Sequence, residues 1–469
     1  MRISFLSRVI RSWFHKTRND RNRKVLLSGF LVTLIVGMTT MSYGQATRSC
    51  GPPSRESVSS LSSKPTAASA AASKRGEWEF IPALCVSERY DSNVLFSSGG
   101  SHDYVTHVAP SLLMKHSGAY MSGTLEVSGF NETYVRNPDL NFLGSGGSLS
   151  LSLDKTIKRF LPNASLWLSD SGRYSPLPPS FLNPVAGTSP SDPANPQDAF
   201  AQGIIAPRTN NYSNTGSATF SYAITSATSL NVSYSNAITR YLSSSSLFTR
   251  VPLFDITTHT GAVGGAVGIS VSDTLTARYS YSDSTFNSVT NATGGSSLPD
   301  RSFQSHTALF GWKRTWTPYF KSELGGGGIV ITPGLTSWAM NAELLFTDPK
   351  YPVTLSYSRY ASPSVLESAS PIIANTVLLS ASQRLGQDWQ LAELGSFSLS
   401  TGATPDTQSG VNKLEFTTYR AAIDLYYWVT SMWSIAVGYD YMRFDRESGR
   451  VSSQFDRHSV MLSLKAIWE

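Results

Sequence analysis

Residues 419–441 read Tyr-Arg-Ala-Ala-Ile-Asp-Leu-Tyr-Tyr-Trp-Val-Thr-Ser-Met-Trp-Ser-Ile-Ala-Val-Gly-Tyr-Asp-Tyr. Tyr419, Ala421, Ile423, Leu425 and Tyr427 occupy one parity, with Arg420, Ala422, Asp424 and Tyr426 between them. After the break Val429-Thr430-Ser431-Met432 the alternation resumes. Trp433, Ile435, Val437, Tyr439 and Tyr441 now stand against Ser434, Ala436, Gly438 and Asp440. It returns a third time, with Val460, Leu462, Leu464, Ala466 and Trp468 against Ser459, Ser463 and Lys465. A period of two sends the two sets to opposite faces of a strand. One face is apolar with aromatic ends; the other is small, polar and sometimes charged. That is the pattern of a strand with lipid outside and water inside.

Working back from this stretch, the same alternation recurs from Trp78 onward, for example at Leu149, Leu151 and Leu153, at Leu230, Val232 and Tyr234, and at Leu275, Ala277, Tyr279 and Tyr281. It also recurs at Trp338, Met340, Ala342, Leu344 and Phe346. The tally is about eighteen segments, or sixteen to twenty, each near the length that crosses a bilayer as a tilted strand. The first two strands and Glu323–Leu335 are the ambiguous ones. The connections alternate: short at Lys115–Ala119, Ile224–Ser229, Val271–Thr274, Arg314–Pro318 and Val429–Met432, long and polar at Asp91–His102, Asn131–Gly147, Gly172–Asn211, Arg240–Thr257, Asp283–Arg301 and Arg443–Phe455. The expected fold is an all-β, transmembrane, antiparallel up-and-down barrel over 78–469, with short periplasmic turns and long outer loops. A secreted β-propeller would carry a blade repeat of its own, and a β-sandwich needs far fewer strands.

Composition agrees with this. Of 469 residues only 15% are charged, and the net charge of +6 is concentrated at the start, where eight basic side chains precede residue 25. The basic balance is thus a targeting feature, and no nucleic-acid partner is expected. Residues 1–46 read as a signal peptide: an extended basic n-region, an apolar run from Val25 to about Met38, and small residues at Gly44 and Ala46 for cleavage. The rival reading, a retained anchor, needs a longer apolar run than this one, which Ser28 and Gly29 interrupt. Residues 47–77 are a Ser/Ala-rich periplasmic linker. Cys50 and Cys85 have no metal-site spacing; a disulfide is open to them in an oxidising compartment, and two unpaired or incidentally paired thiols are the plainer expectation.

Each short turn leads into an aromatic residue or Leu, as at Ser229-Leu230, Thr274-Leu275, Pro318-Tyr319, Asp388-Trp389 and Met432-Trp433. With the opening Ser87-Glu88-Arg89-Tyr90-Asp91-Ser92-Asn93-Val94, these hairpins resemble outer-membrane β-barrel proteins of the exopolysaccharide/exosortase-associated type. The resemblance runs over most of Trp78 to Glu469. It implies an outer-membrane barrel that helps a polymer or small solutes across, and it brings no catalytic residues with it. Barrel-assembly signals end on an aromatic residue; Trp468 fits, and Glu469 follows it.

The candidate pore-lining residues are the ionisable ones on the inward parity: Glu126, Arg278, Glu343, Arg384, Arg420, Asp424, Asp440, Arg457 and Lys465. Two readings stand beside each other, a lining that tunes ion or sugar passage and a network of ion pairs that stiffens the wall. The mixed signs predict no strong charge selectivity. The candidate aromatic girdle is Trp312, Trp338, Tyr419, Tyr427, Trp433, Tyr441 and Trp468. No catalytic site, metal or cofactor is expected. His458 and Ser459 are adjacent on a strand and face opposite ways, and His259 and His306 are expected beside loops. Gly325–Gly328 is read as close packing or a bend in a strand.

The expected function is a porin-like channel of a Gram-negative outer membrane, with both termini in the periplasm, passing small solutes or exporting an exopolysaccharide. The alternative is a non-conducting surface barrel whose loops mediate adhesion. Its partners would be outer-membrane lipid, the barrel-assembly machinery at the C-terminal strand, and polysaccharide or small solutes. The proline-rich stretch Gly172–Asn211 is long enough to fold inward as a constriction or stand outward as a binding surface.

Overall fold

The computed structural model describes residues 78–95, 99–175, 210–241, 254–288, 301–332, 334–348, 350–363, 371–402, 414–448 and 451–468. The expected signal peptide and linker, and most of the long 172–211 stretch, lie outside the described residues.

The strands are β1 Trp78–Asp91, β2 Asp103–Ser117, β3 Ser122–Tyr134, β4 Phe142–Ser152, β5 Ala164–Ser175, β6 Asn211–Ala223, β7 Thr228–Tyr241, β8 Phe254–Gly268 and β9 Asp273–Ser288. They continue as β10 Arg301–Thr317, β11 Phe320–Thr332, β12 Leu335–Phe346, β13 Val353–Pro363, β14 Pro371–Arg384, β15 Trp389–Gly402, β16 Leu414–Trp428, β17 Trp433–Ser448 and β18 Val451–Ile467. Each pairs antiparallel with its sequence neighbour, and β1 pairs with β18 from Ala83 opposite Ile467 to Asp91 opposite Ser459. The sheet therefore closes as an 18-stranded antiparallel barrel, and closure removes every sheet edge. This is the transmembrane up-and-down barrel that the alternation predicts.

One end carries the short connections and is the turn end here; the other is the loop end. Four turns at the turn end are built alike. Thr225 Oγ1 accepts the N–H groups of Ala227 and Thr228, Ser270 Oγ those of Ser272 and Asp273, Thr317 Oγ1 those of Tyr319 and Phe320, and Thr430 Oγ1 those of Met432 and Trp433. A hydroxyl two and three residues ahead of its donors caps the turn without help from elsewhere. That is the physical content of the repeated hairpin seen in the sequence.

The strands are longer than a membrane needs, 17 residues in β10 and β18 against the roughly 9–11 that span a bilayer. The surplus lies at the loop end, and there the faces exchange character. On β17 the outward parity runs Trp433, Ile435, Val437, Tyr439, Tyr441 and then Arg443 and Asp445, while the inward parity runs Ser434, Ala436, Gly438, Asp440 and then Met442 and Phe444. On β9 outward Tyr279 and Tyr281 give way to Asp283, and inward Arg278 and Ser280 to Phe286. The outward polar groups pair with one another: Arg240 with Asp255 at 3.1 Å, and the Tyr441 hydroxyl with Asp456 at 2.9 Å. Beyond the lipid the outer surface meets water, so the wall takes the pattern of a soluble barrel, polar outside and apolar inside.

This exchange corrects the expected long loops. Within Arg443–Phe455 residues 443–448 and 451–455 are strand, and strand occupies most of Asn131–Gly147. His259 and His306 lie within β8 and β10 rather than beside loops. Gly325 and Gly327 sit in β11 as close-packing positions. A Cβ at Gly325 would run into the Asn341 side chain, and one at Gly327 into the Ala308 carbonyl. Cys85, on the inward parity of β1, is in a disulfide, the pairing left open by the sequence.

Candidate functional site

The functional surface of a closed barrel is its lumen, and the strand parity fixes which side chains reach it. The exposed large hydrophobics Leu230, Val232, Val263, Leu275, Phe310, Leu324, Leu344, Ile423, Val437, Leu462 and Leu464 all lie on the lipid-facing parity. All nine ionisable pore-lining candidates stand on the opposite one.

The structure brings some of them together. Arg420 on β16 donates from Nε and Nη2 to the Asp440 carboxylate on β17, at 2.9 and 2.6 Å. Arg457 on β18 grips Asp91 on β1 with two nitrogens, at 3.0 and 2.5 Å, across the seam that closes the barrel. Arg384 lies exposed at the turn end of β14, and Arg278, Glu126 and Glu343 are half-buried on β9, β3 and β12. Asp424 is deeply buried on β16, with its carboxylate against Gly438. Lys465 is half-buried on β18.

The ionic network extends past these residues into groups that sequence reasoning passed over. Arg89 lies 3.8 Å from Asp91 and 3.9 Å from Glu132 on β3. Glu132 accepts from the Tyr134 hydroxyl at 2.7 Å and faces His107 at 3.7 Å. Arg173 on β5 lies over the Phe130 ring, 5.1 Å from its centre. From β16 across the seam to β5 the inner wall thus carries an arc of charge, with Asp91 and Glu132 each 1% exposed. Three of its members, Arg89, Asp91 and Asn93, belong to the Ser87–Val94 motif. Asn93 donates its backbone N–H to Asp91, and the Ser92 hydroxyl accepts the His458 N–H. The motif is the latch of the barrel. Its inward parity, continuing from Cys85 and Ser87, is the signal in the sequence by which Arg89 and Asp91 are recognisable as lumen residues.

Around the rest of the loop end the inner wall carries buried apolar side chains interleaved with buried hydroxyls such as Thr258, Ser284, Ser305 and Thr418. A cluster runs from Tyr241 and Ile256 through Phe286, Phe303, Ile329 and Ile331 to Ile372, Phe416, Phe444 and Phe455. Neighbouring rings touch: Phe286 and Phe303 at 5.8 Å, Phe416 and Phe444 at 6.1 Å, Phe444 and Phe455 at 5.4 Å between centres. Toward the turn end the wall is wetter: the Lys313 and Glu323 side chains, paired at 2.7 Å, are 49% and 20% exposed, and inward-facing Trp167 is 48% exposed.

The girdle candidates all face outward, and they fall at two levels. At the turn end Trp312 donates to Asp273 at 3.0 Å, Tyr427 packs on Trp389 at 4.5 Å, and Trp433 meets Trp468 edge-on at 6.5 Å. Toward the loop end Trp338 lies under the Arg359 guanidinium at 4.3 Å, Tyr419 packs on Phe397, and Tyr441 on His458. Three Tyr–His pairs repeat on this outer level, the hydroxyls of Tyr234, Tyr279 and Tyr439 lying 2.9, 2.7 and 2.9 Å from Nδ1 of His259, His306 and His458. His458 faces out with Tyr439 while Ser459 is buried inside, so the two do not form a nucleophile–base pair.

Fold and lumen together define a transmembrane antiparallel β-barrel of eighteen strands. No family model and no curated protein matches the chain. Among solved structures it is similar to the siderophore receptor PirA from Acinetobacter baumannii, at 8% identity and a TM-score of 0.43, covering 84% of this chain and 81% of that one. It is also similar to OccK11 (OpdR) from Pseudomonas aeruginosa, at 12% identity and TM-score 0.40 over 83% and 96% of the two chains. A third similarity is to OpdQ of the same organism, at 8% identity and TM-score 0.40 over 83% and 100%.

Proposed function

We propose that this chain is a porin-like channel of a Gram-negative outer membrane, passing small solutes by passive diffusion or exporting an exopolysaccharide, with both termini in the periplasm. The observation that carries the reading is the lumen. A closed wall of eighteen strands is wide enough to enclose water, and its inner face toward the turn end holds the exposed cations Lys313 and Arg384 and the partly exposed Glu323. The polymer cargo rests on the sequence resemblance of the 87–94 motif and the hairpins. Lipid surrounds the apolar belt, and the assembly machinery meets the last strand, which Trp468 follows. The lining works by positioning and excluding solutes, with no chemical step.

A second reading, a surface barrel that does not conduct, is favoured by one observation: the charged arc and the apolar cluster at the loop end are both shielded from water. Single-channel recording of the purified protein in planar bilayers separates the two. Discrete conductance steps support the channel; a correctly folded barrel with no steps above background defeats it and leaves the outer surface as the working part.

A further inference from the structure

Over the turn-end half of the barrel the inner wall is covered on one side only. Gln390, Tyr426, Ser434, Ser463 and Ile81, on the neighbouring strands β15, β16, β17, β18 and β1, are 3–8% exposed. Beyond this sector the cover stops. Arg384 on β14, the register partner of Gln390, is exposed, as are Lys313, Asn231 and Trp167 on β10, β7 and β5. On the other flank Leu113 of β2, opposite Ile81, is half-buried. Side-chain size does not account for the difference. Ser434 and Ser229 are each the second residue of a strand leaving a turn, yet Ser434 is buried and Ser229 half-buried. Something therefore lies against β15–β18 and β1 inside the lumen. A covalent bond marks the occupant. Cys85, on the inner face of β1 and 3% exposed, is in a disulfide, and the chain holds one other cysteine, Cys50.

We propose, on the reading of this protein as a channel, that Cys50 is the partner of Cys85 and that residues 51–77 lie in the lumen against β15–β18 and β1, as an internal tether that narrows the passage. The reach is sufficient. Cys85 stands about 20 Å along β1 from Trp78, and residues 51–77 fully extended cover about 90 Å. Composition fits as well. The segment is rich in Ser and Ala and has too little apolar surface for a core of its own. The wall it meets is small, with Ala422, Ser434, Ala436, Gly438 and Ser463 on the inward parity, so two backbones can approach closely. The expected cleavage after Ala46 keeps Cys50 in the mature chain, close to its start. Forming the bond removes two electrons and two protons from the two thiols; a disulfide-bearing oxidant of the periplasm takes them up and becomes a dithiol. The tether leaves the opposite wall free. Solutes then pass along β5–β14, where Trp167, Asn231, Lys313 and Arg384 are exposed, and the route runs off the barrel axis.

The test uses the purified, refolded mature chain, native and Cys50→Ser. A non-reducing digest of the denatured native chain is expected to give the Cys50 and Cys85 peptides as one cross-linked species; two separate thiol peptides overturn the pairing. Trypsin is too large to enter the lumen. In the folded barrel the bond after Arg55 is therefore expected to be cut about tenfold more slowly in the native chain than in Cys50→Ser. Equal rates, fast or slow, overturn the tether. Potassium chloride conductance in planar bilayers is expected to rise about 1.5-fold in Cys50→Ser as the freed segment leaves the lumen; equal conductance overturns the narrowing. Two folded barrels that are both silent overturn the channel reading, while the cross-link and the Arg55 rates still decide the tether. Folding is checked by the heat-dependent gel mobility of the barrel. Should Cys50→Ser fail that check, the native chain treated with a phosphine takes its place. The phosphine converts the disulfide to two thiols and, with water, becomes the phosphine oxide. The same outcomes then decide.

Discussion

Replacing Arg457 by methionine removes the cation from the closing seam while keeping a long side chain in place. In the native wall its guanidinium holds Asp91 with two bonds, and the two side chains are 14% and 2% exposed. After the change the Asp91 carboxylate keeps Arg89 at 3.8 Å and the Asn93 N–H at 3.1 Å, neither of which equals a bidentate pair. Breaking one partner of a buried ion pair costs about 3–5 kcal/mol. Arg89 and the backbone donor offset part of this, which places the expected loss near the lower end of that range. The double change Asp91→Leu with Arg457→Met removes both charges and recovers most of the loss, since an apolar pair of similar volume is close to neutral where two charges must otherwise be desolvated. The assay is urea unfolding from lipid vesicles, followed by tryptophan emission and by gel mobility without heating, for wild type, both single variants and the double. A single Arg457→Met variant within about 1 kcal/mol of wild type would show that the seam is closed by its backbone ladder alone, and would falsify the latch.

Other outcomes follow from the same wall. Gly327→Ala drives a Cβ into the backbone carbonyl of Ala308, whereas Gly325→Ala meets the movable Asn341 side chain; the first is expected to lose about 1–3 kcal/mol and the second clearly less, and similar losses would refute the packing account. Leu344→Arg puts a charge on the lipid face and is expected to lose about 2–4 kcal/mol, while Glu343→Gln one residue away stays within about 0.5 kcal/mol; the same unfolding assay reads both. Glu132→Gln removes the charge that faces Arg89 and His107, and is expected to destabilise the loop end by about 1–3 kcal/mol; amide exchange rising in β2 and β3 but not in β11 and β12 is the signature.

How much of this was legible beforehand follows from what the alternation measures. Between the two aromatic levels lipid is outside and the lumen inside, so parity alone placed Leu462 and Leu464 on one face and Lys465 on the other, and it counted the strands. Above the outer level the same parity carries the opposite chemistry. Arg443 and Asp445 follow Tyr441 outward while Phe444 faces in, and a reading that equates apolar with outward sees the pattern break and assigns a loop. The seam was illegible for another reason: Asp91 and Arg457 are 366 residues apart, and no local spacing connects the first strand to the last.

That exchange of faces also explains why the latch and the apolar cluster share one level. Within the membrane the lipid belt holds the wall from outside, and the lumen face is free to stay small and polar, as Ser434, Ala436 and Gly438 are. Where the strands leave the lipid, outward side chains no longer gain from apolar burial, and cohesion has to come from within. The chain supplies it in two chemistries, packed rings and branched aliphatics on β7–β18 and hydrogen-bonded charges across β18, β1, β2 and β3. Both exclude water from the inner wall. Ile329→Ser with Ile372→Ser, which puts two hydroxyls into positions at 0% exposure, is therefore expected to lower resistance to urea in the same unfolding assay. An unchanged unfolding midpoint in that variant would refute this account of the rim's cohesion.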